Sequence, residues 1–186
     1  ITAEAYRKAG MVSEPLNLYD VAPYADGAAA VVLTRPELAR ASQRPLVRIS
    51  GSAVAIDTLA LHDRPDLLSF EAARISVERA CRQAGILPTD VDLLELSDDF
   101  SIFAALSLEA AGFARRGAGW CLARDGMLNR DGKLPVNTMG GQKARGSALG
   151  ANGVYQAVEA ALQLRDEAGA AQVKNARRAL IQSLGG

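Results

Sequence analysis

Apolar and polar residues recur along this chain in patterns that predict helices and strands. The apolar residues at 154, 157, 158, 161, 162 and 164 keep mainly to spacings of three and four. These spacings place them on one face of a helix, which we predict over 151–166. Two further helices are predicted over 69–84 and 100–111, where Gly85 and Gly112 can end them.

Short apolar runs separate these helices. They fall at 46–56, 91–96, 133–136 and 178–182, and we predict a strand or an extended segment at each. Strands that alternate with helices are typical of a mostly parallel or mixed sheet. The sequence therefore predicts an α/β fold in which helices flank a mixed sheet.

The first 42 residues form a different region. We predict short helices at 3–9 and at 35–41, the latter capped by Thr34, and strand-like segments at 16–20 and 28–33. The polar stretch 42–45 predicts a boundary, so residues 1–42 and 43–186 are expected to belong to two domains. The chain begins without a methionine and stops just after an apolar run, and we expect it to be part of a longer protein.

The segment from Asn137 to Gly153 is rich in glycine, with five glycines at positions 140, 141, 146, 150 and 153. Glycine lets the backbone approach another surface closely and adopt positive φ angles. The free N–H groups at the start of the following helix could then bind a phosphate, or a carbonyl oxygen that becomes an oxyanion. The alternative is a tight loop packed on another strand, and glycine spacing does not separate the two.

The composition excludes several classes of function. Lys plus Arg and Asp plus Glu both total 21, so a net charge of zero offers no basic field for nucleic acid or an anionic membrane. One Trp, four Tyr and four Phe are too few for a base-stacking surface. No apolar run approaches the roughly 20 residues of a membrane span. Two cysteines without metal-type spacing fit a reduced cytoplasmic location and predict no metal site.

Three separated motifs together resemble the C-terminal half of the thiolase family, nearest to its sterol-carrier-protein-type and archaeal members. Residues 24–33 are similar to the S-D-G-A-A-A strand that closes the first half of those proteins. Residues 91–101 lie where the family has an N-E-A-F or H-D-x-F motif. Residues 140–153 match the spacing of G-G-x4-G-H-P-x-G-x-x-G without gaps, and residues 180–186 resemble the strand leading into C-x-G-G.

The resemblance implies a thiolase-like five-layered fold of two βαβαβαββ halves, usually dimeric. This chain would supply the end of the first half and most of the second, with the final strand beyond Gly186 and the nucleophilic cysteine upstream of Ile1. It also implies an acyltransferase of lipid metabolism, similar to acetyl-CoA acetyltransferase, that acts on carbon–carbon bonds beside a CoA thioester.

The coenzyme A thioester would then be a substrate, with no covalently bound cofactor. The expected partners are a second copy or a thiolase-like chain, joined in some relatives by a small OB-fold protein.

The catalytic positions of the family hold serine in this chain. Ser147 lies at the His of G-H-P, Ser183 at the Cys of C-x-G-G, and Ser97 at the Asn or His that holds a catalytic water. A serine hydroxyl has no pKa near neutrality and cannot act as the base, but it can donate a hydrogen bond to an oxyanion. Since losing a base forfeits about 10²–10⁴ in rate, ordinary thiolysis is not expected.

Asp98 and Asp99 are the remaining candidates for acid and base chemistry. Neighbouring residues of an extended segment point in opposite directions, so at most one of them would face the pocket. An Asp that loses its water there would have a raised pKa and could act as an acid or a base. The alternative is that one of the two caps the helix that begins at Phe100.

The resemblance implies that the loop of Gly140, Gly141, Gly146 and Gly150 binds the CoA thioester. Lys143 and Arg145 flank this loop and could meet a phosphate of CoA, or lie on a solvated surface.

Three other residues with reactive side chains are expected to be structural. His62 is expected in a surface loop, Cys81 in a helix core, and Cys121 in a loop or lining position.

The sequence leaves three functions open. A thiolase-type acyltransferase is favoured by the intact glycine frame. A catalytically inactive scaffold subunit of an acyl-CoA complex is favoured by the three serines. A retro-aldolase needs a proton acceptor, for which the two aspartates are the candidates.

Overall fold

The computed structural model describes residues 1–39 and 44–185, and within them the chain forms an α/β fold. The helices and strands are, in order, α1 (Ala3–Lys8), β1 (Met11–Ser13), β2 (Leu16–Asn17), α2 (Pro36–Ala39), α3 (Glu71–Ala84), β3 (Leu93–Leu96), α4 (Ser101–Ala110), α5 (Gly119–Arg124), α6 (Gly141–Arg145), α7 (Asn152–Leu164) and β4 (Ala179–Gln182). Short 3₁₀ turns lie at Leu18–Asp20, Leu61–Asp63, Pro88–Asp90, Leu149–Ala151 and Gly169–Ala171. No helix in this described part is long and apolar enough to cross a membrane.

The centre of the fold is the parallel pair of β3 and β4, in which Leu93 lies opposite Ala179 and Leu96 opposite Gln182. Residue Val136, in the predicted extended segment, adds an isolated parallel bridge to Leu94. A parallel pair needs a crossover between its strands, and α7 lies in this crossover and contacts both. The prediction of parallel strands alternating with helices is therefore confirmed.

The two faces of β3 pack against different helices. Leu94 and Leu96 lie in a cluster with Val77 of α3 and Leu108 of α4. Leu93, on the opposite face, packs with Val173, Ala176, Leu164 and Ala179. All four residues of β3 are buried, as expected for a strand covered on both sides.

The three long predicted helices are present as α3, α4 and α7. Helix α3 ends where the sequence predicted, because Gly85 adopts a φ of 68° that closes the last turn. The predicted helix at 3–9 is α1, and the strand-like segment at 16–20 divides into β2 and a 3₁₀ turn. Of the helix predicted over 35–41, Pro36–Ala39 is formed; residues 40–43, with the start of the predicted boundary, lie outside the described residues.

The predicted apolar face of α7 is not its most buried face. The buried residues are Asn152, Gln156, Glu159, Ala160 and Gln163, whereas Val154, Val158 and Leu162 are half-buried. Polar side chains tolerate burial when they are hydrogen-bonded. Gln163 donates to Thr138 Oγ1 at 2.7 Å and accepts from the N–H of Val173 at 2.8 Å. Hydrophobic spacing cannot detect a polar residue such as Gln163 that is buried through its hydrogen bonds.

Two predicted strands, 28–33 and 46–56, form no ladder with any strand of the described residues, so these predictions are wrong for this structure. The second segment lies along α3, where Gly51 packs against the backbone of Ala80 and Ser52 N–H donates to Gln83 at 2.9 Å. An extended segment becomes a strand only when another strand supplies its hydrogen bonds.

We expect Leu94→Ala to destabilise the full-length protein by about 2–5 kcal/mol, since it empties a site that is 1 % exposed between β3 and the helices α3 and α4. Urea unfolding measures the change. Leu87→Ala, at a position that is 65 % exposed, is the control and should have a much smaller effect. Equal losses for both variants would contradict this description of the core.

Candidate functional site

The candidate site lies where the carboxyl ends of β3 and β4 meet the start of α7. Ser97 follows β3 and is buried; its N–H donates to Gln182 O at 3.2 Å and its Oγ accepts from Leu184 N–H at 3.0 Å. Ser183 is exposed and lies against Gly153, where an added Cβ would be 3.1 Å from the Ser183 hydroxyl. Two of the three predicted serines are thus joined by the ends of the central strands.

Ser147 is the third serine, and its hydroxyl joins two polar side chains. The Oγ donates to Asp99 Oδ1 at 2.6 Å and accepts from Asn152 Nδ2 at 2.9 Å. Asn152 opens α7 and is followed by Gly153, on which Ser183 packs. The three serines therefore converge on one region, as the resemblance implied.

The backbone at Ser147 is fixed by the segment at 23–25. Ser147 N–H donates to Pro23 O at 2.7 Å, and Ala25 N–H donates to Ser147 O at 3.0 Å. Gly146 makes this pairing possible, since its φ is 93° and a Cβ there would lie 2.5 Å from that of Ala25. This is the tight packing that the sequence offered as one alternative for the glycine loop.

Asp98 caps the start of α6. Its Oδ1 accepts from Gln142 N–H at 2.7 Å, and its own N–H donates to Gln142 Oε1 at 3.0 Å. Burial raises the pKa of the Asp98 carboxyl, although hydrogen bonds from the N–H groups of Gln142 and Lys143 and from the Asn137 amide lower it.

The prediction that one aspartate caps the helix beginning at Phe100 is wrong. Phe100 itself is the N-cap of α4, and its side chain makes no capping hydrogen bond. The reason is competition: the glycine loop brings the N–H groups of α6 to Asp98, while Asp99 is drawn toward Ser147.

Asp99 is half-buried and lies at a bend that follows β3. One carboxylate oxygen accepts from Ser147, and the other lies 3.4 Å from Gln142 Nε2. Of the two aspartates, Asp99 is therefore the one that shares its surroundings with Ser147.

The two cations beside the glycine loop are both engaged with protein groups. Lys143 Nζ donates to Ser101 Oγ at 2.6 Å and to Tyr19 O at 2.9 Å, and burial lowers the pKa of this ammonium. Arg145 forms an ion pair with Glu159, and its guanidinium lies 4.5 Å from the centroid of the Tyr155 ring. Neither side chain lies on a freely solvated surface; contact with a CoA phosphate stays a prediction.

Sequence reasoning missed Gln142 and Asn152, which connect the site. Gln142 is completely buried and bonds to both aspartates, and Asn152 holds Ser147 and accepts from Ala148 N–H at 2.9 Å. Their signal in the sequence is that they are amides placed directly beside the glycines of the frame.

Three other residues with reactive side chains were expected to be structural. His62 is exposed and Cys81 is buried in the core, as expected, whereas Cys121 lies in α5 rather than in a loop. Among the described residues, no cluster of His, Cys, Asp and Glu side chains is arranged to hold a metal ion.

We expect Gly141→Ala to destabilise the full-length protein by at least about 1–3 kcal/mol, since alanine would have to adopt a φ of 61° and its Cβ would collide with the Asp98 carboxylate. Gly150→Ala is a matched control in the same loop, because no atom lies within 4 Å of the added carbon. Thermal unfolding of both variants provides the comparison. Similar melting temperatures would show that the contact between Asp98 and α6 is unimportant.

Comparison with known proteins places this geometry in a family. The chain is 42 % identical over 186 residues to an acetyl-CoA acetyltransferase of Methanothermobacter thermautotrophicus. The aligned region covers 100 % of this chain and 49 % of that protein. It is 33 % identical over 162 residues to the 17-hydroxy-3-oxo-4-pregnene-20-carboxyl-CoA lyase of Mycobacterium tuberculosis, covering 85 % of this chain and 42 % of that one. It thus spans about half the length of these relatives.

The solved structure named Ltp2-ChsH2(DUF35) aldolase superimposes with a TM-score of 0.85 at 26 % identity, over 97 % of this chain and 47 % of that one. This likeness confirms the predicted thiolase-like α/β fold. The family model described as thiolase C-terminal domain-like matches residues 53–186. The chain therefore belongs to the thiolase C-terminal domain-like family, as its glycine frame and strand motifs predicted.

Proposed function

We propose that this chain supplies the acid–base side of an enzyme that cleaves or forms a carbon–carbon bond beside a coenzyme A thioester, by an aldol route. The observation that carries the proposal is the hydrogen bond from Ser147 to Asp99, in a family frame whose imidazole and thiol positions hold serine. Thiolysis needs a base that activates a nucleophile and a second group that moves a proton. Aldol chemistry needs one proton acceptor.

In the retro-aldol reaction of a β-hydroxyacyl-CoA, a single carboxylate can both accept and return the one proton that moves. Asp99 takes the proton of the β-hydroxyl, and the oxygen forms a carbonyl as the bond between the α and β carbons breaks. The electron pair of that bond passes to the thioester as an enolate. Asp99 then returns its proton to the α carbon, so the products are a carbonyl compound and a shortened acyl-CoA.

The contacts of Asp99 suit this role. Ser147 and Gln142 hold its two oxygens, and Asn152 holds Ser147 in turn. Preorganised contacts of this kind fix the direction in which a base meets its substrate. Because the Ser147 proton is directed at Asp99, we assign Ser147 to orienting the base.

The enolate oxygen needs hydrogen-bond donors. Ser183 is exposed beside Gly153, and in the described structure no side chain caps the first turn of α7. We assign the thioester oxygen to this corner, between the Ser183 hydroxyl and the start of α7. The glycine loop from Gly140 to Gly150 would hold the acyl-CoA.

A second candidate function is acyl transfer, favoured by the 42 % identity to an acetyl-CoA acetyltransferase along the whole chain. It would require a nucleophilic cysteine and a base from residues outside this chain. Either function fits a dimer or a mixed assembly. The neighbouring structure is named for two components, Ltp2 and ChsH2(DUF35), which supports a partner protein for this chain as well.

Product analysis of the full-length protein distinguishes the candidates. Branched β-hydroxyacyl-CoA substrates, which carry a tertiary hydroxyl, are incubated without free CoA, and acetoacetyl-CoA is incubated with CoA. A carbonyl product with a shortened acyl-CoA supports the aldol proposal, and CoA-dependent formation of acetyl-CoA supports acyl transfer. If the protein shows no turnover and does not bind acyl-CoA, a scaffold function is favoured and both enzymatic proposals are wrong.

We expect Asp99→Asn to lower kcat by about 10²–10⁴, because the amide cannot accept the hydroxyl proton. Asp125→Asn removes an exposed carboxylate that pairs with Arg124, and it serves as the control for an equal chemical change. Steady-state kinetics on the cleaved substrate measure both. Unchanged turnover in Asp99→Asn would remove Asp99 from the mechanism.

We expect Ser147→Ala to lower kcat by about 10²-fold with little change in KM, because the carboxylate remains but loses the hydrogen bond that orients it. Ser76→Ala, which deletes a hydroxyl bonded within α3 at 2.9 Å, is the matched control. A rise in KM with unchanged kcat would instead place Ser147 in substrate binding.

A further inference from the structure

A buried group of ionisable side chains lies behind the site. It consists of Glu95 on β3, Glu159 on α7 and Arg145 at the end of α6. Glu95 is 0 % exposed, Glu159 is 7 % exposed, and Arg145 pairs with Glu159. Strand alternation places Glu95 on the same face of β3 as Leu93, the face that packs with Leu164 of α7.

Several polar atoms in this group have no hydrogen-bond partner among the described residues. They are both carboxylate oxygens of Glu95, Oε2 of Glu159, and Nε and Nη2 of Arg145. Buried polar atoms are almost always paired, because leaving one unpaired costs about 1–3 kcal/mol. Two ionised carboxylates cannot bond to each other, since both only accept.

One proton between the two carboxylates would pair two of these five atoms. With both carboxylates ionised, two negative charges would face a single guanidinium away from water. A proton on Glu95 lets its hydroxyl donate to Glu159, while Arg145 balances the charge that remains. We infer that Glu95 and Glu159 share one proton, and that this pair with Arg145 locks the loop carrying Ser147 against β3 and α7.

The electrostatics of the surrounding groups agree with this inference. Burial, and next the neighbouring Glu159 carboxylate, raise the pKa of Glu95 to about 9. Arg145 lowers the pKa and Asp98, which follows the same strand, raises it. These three are the charged groups that act on Glu95 from α7, from α6 and from its own strand end.

The residues of this group lie on both sides of Ser147 in the chain. Arg145 lies two residues before Ser147, and Glu159 lies two turns after Asn152 on the same buried face of α7. The pair therefore fixes the backbone on one side of the serine and the amide on the other. The effect on catalysis rests on the proposed function, whereas the shared proton does not.

The shared proton predicts a defined dependence of stability on pH. Between the ordinary value of 4.5 and about 9, the folded protein keeps a proton that the unfolded chain has released. Stability therefore falls as pH rises through this range, and Glu95 raises the unfolding constant about tenfold per pH unit. Above about pH 9 this contribution stays constant.

The test compares full-length wild type with Glu95→Gln, Glu95→Ala and Glu167→Gln. Urea unfolding is measured over about two pH units below 9, and infrared spectroscopy detects a protonated carboxyl at neutral pH. In Glu95→Gln the amide keeps a donor, so folding persists, and the ratio of its unfolding constant to that of wild type should change about a hundredfold over this range. Glu167→Gln, at an exposed position, should keep the wild-type slope.

The kinetic readout tests the positioning role. Glu95→Gln should keep kcat near the wild-type value, and Glu95→Ala should lower kcat. If Glu95→Ala does not fold, the pH dependence of unfolding and the infrared band of Glu95→Gln test the inference instead. If Glu95→Gln keeps the wild-type dependence of unfolding on pH, or if its infrared band is unchanged, the two glutamates do not share a proton. Full activity of a folded Glu95→Ala would overturn the lock. An inactive wild type that still shows the band and slope would reject the proposed function alone.

Discussion

The site depends on the reciprocal hydrogen bonds between Asp98 and Gln142. Asp98 Oδ1 accepts from the Gln142 N–H, and the Gln142 side chain accepts from the Asp98 N–H. These bonds attach the glycine loop to the end of the central strand. They are buried, so each would cost more to break than a bond in water. The approach is close enough that Gly141 has no room for a side chain.

Several other features follow from this attachment. Asp98 is bound to the start of α6, and the carboxylate of the next residue, Asp99, accepts from Ser147. The Gln142 side chain then reaches the Asp99 carboxylate with its amide nitrogen, while its oxygen accepts from the backbone N–H of Asp98. Since α6 is anchored at its first turn, its last residue, Arg145, is brought to Glu159. The loop therefore holds Ser147 in a fixed position relative to the end of β3.

The sequence predicted the helices α3 and α4 and the parallel strands because each has a local signal, such as the glycine that ends α3 or an apolar run. The resemblance to the thiolase family implied that Ser97, Ser147 and Ser183 lie near one another, because they occupy the catalytic positions of that family. The sequence could not predict the buried face of α7, because the bonds of Gln163 and Glu159 depend on partners outside the helix. The cap at Asp98 was missed for the same reason, since its partner lies 44 residues away.

The same distinction explains how a glycine frame can persist when the residue at position 147 changes. Gly141 is required by the Asp98 carboxylate and Gly146 by Ala25, and neither requirement involves the side chain at residue 147. Backbone packing therefore constrains the frame, while the identity of residue 147 is free to follow the reaction. A match to the frame shows how the loop packs, and it does not depend on the side chain at residue 147. In this protein the partner of residue 147 is Asp99, a carboxylate that accepts a hydrogen bond from the Ser147 hydroxyl.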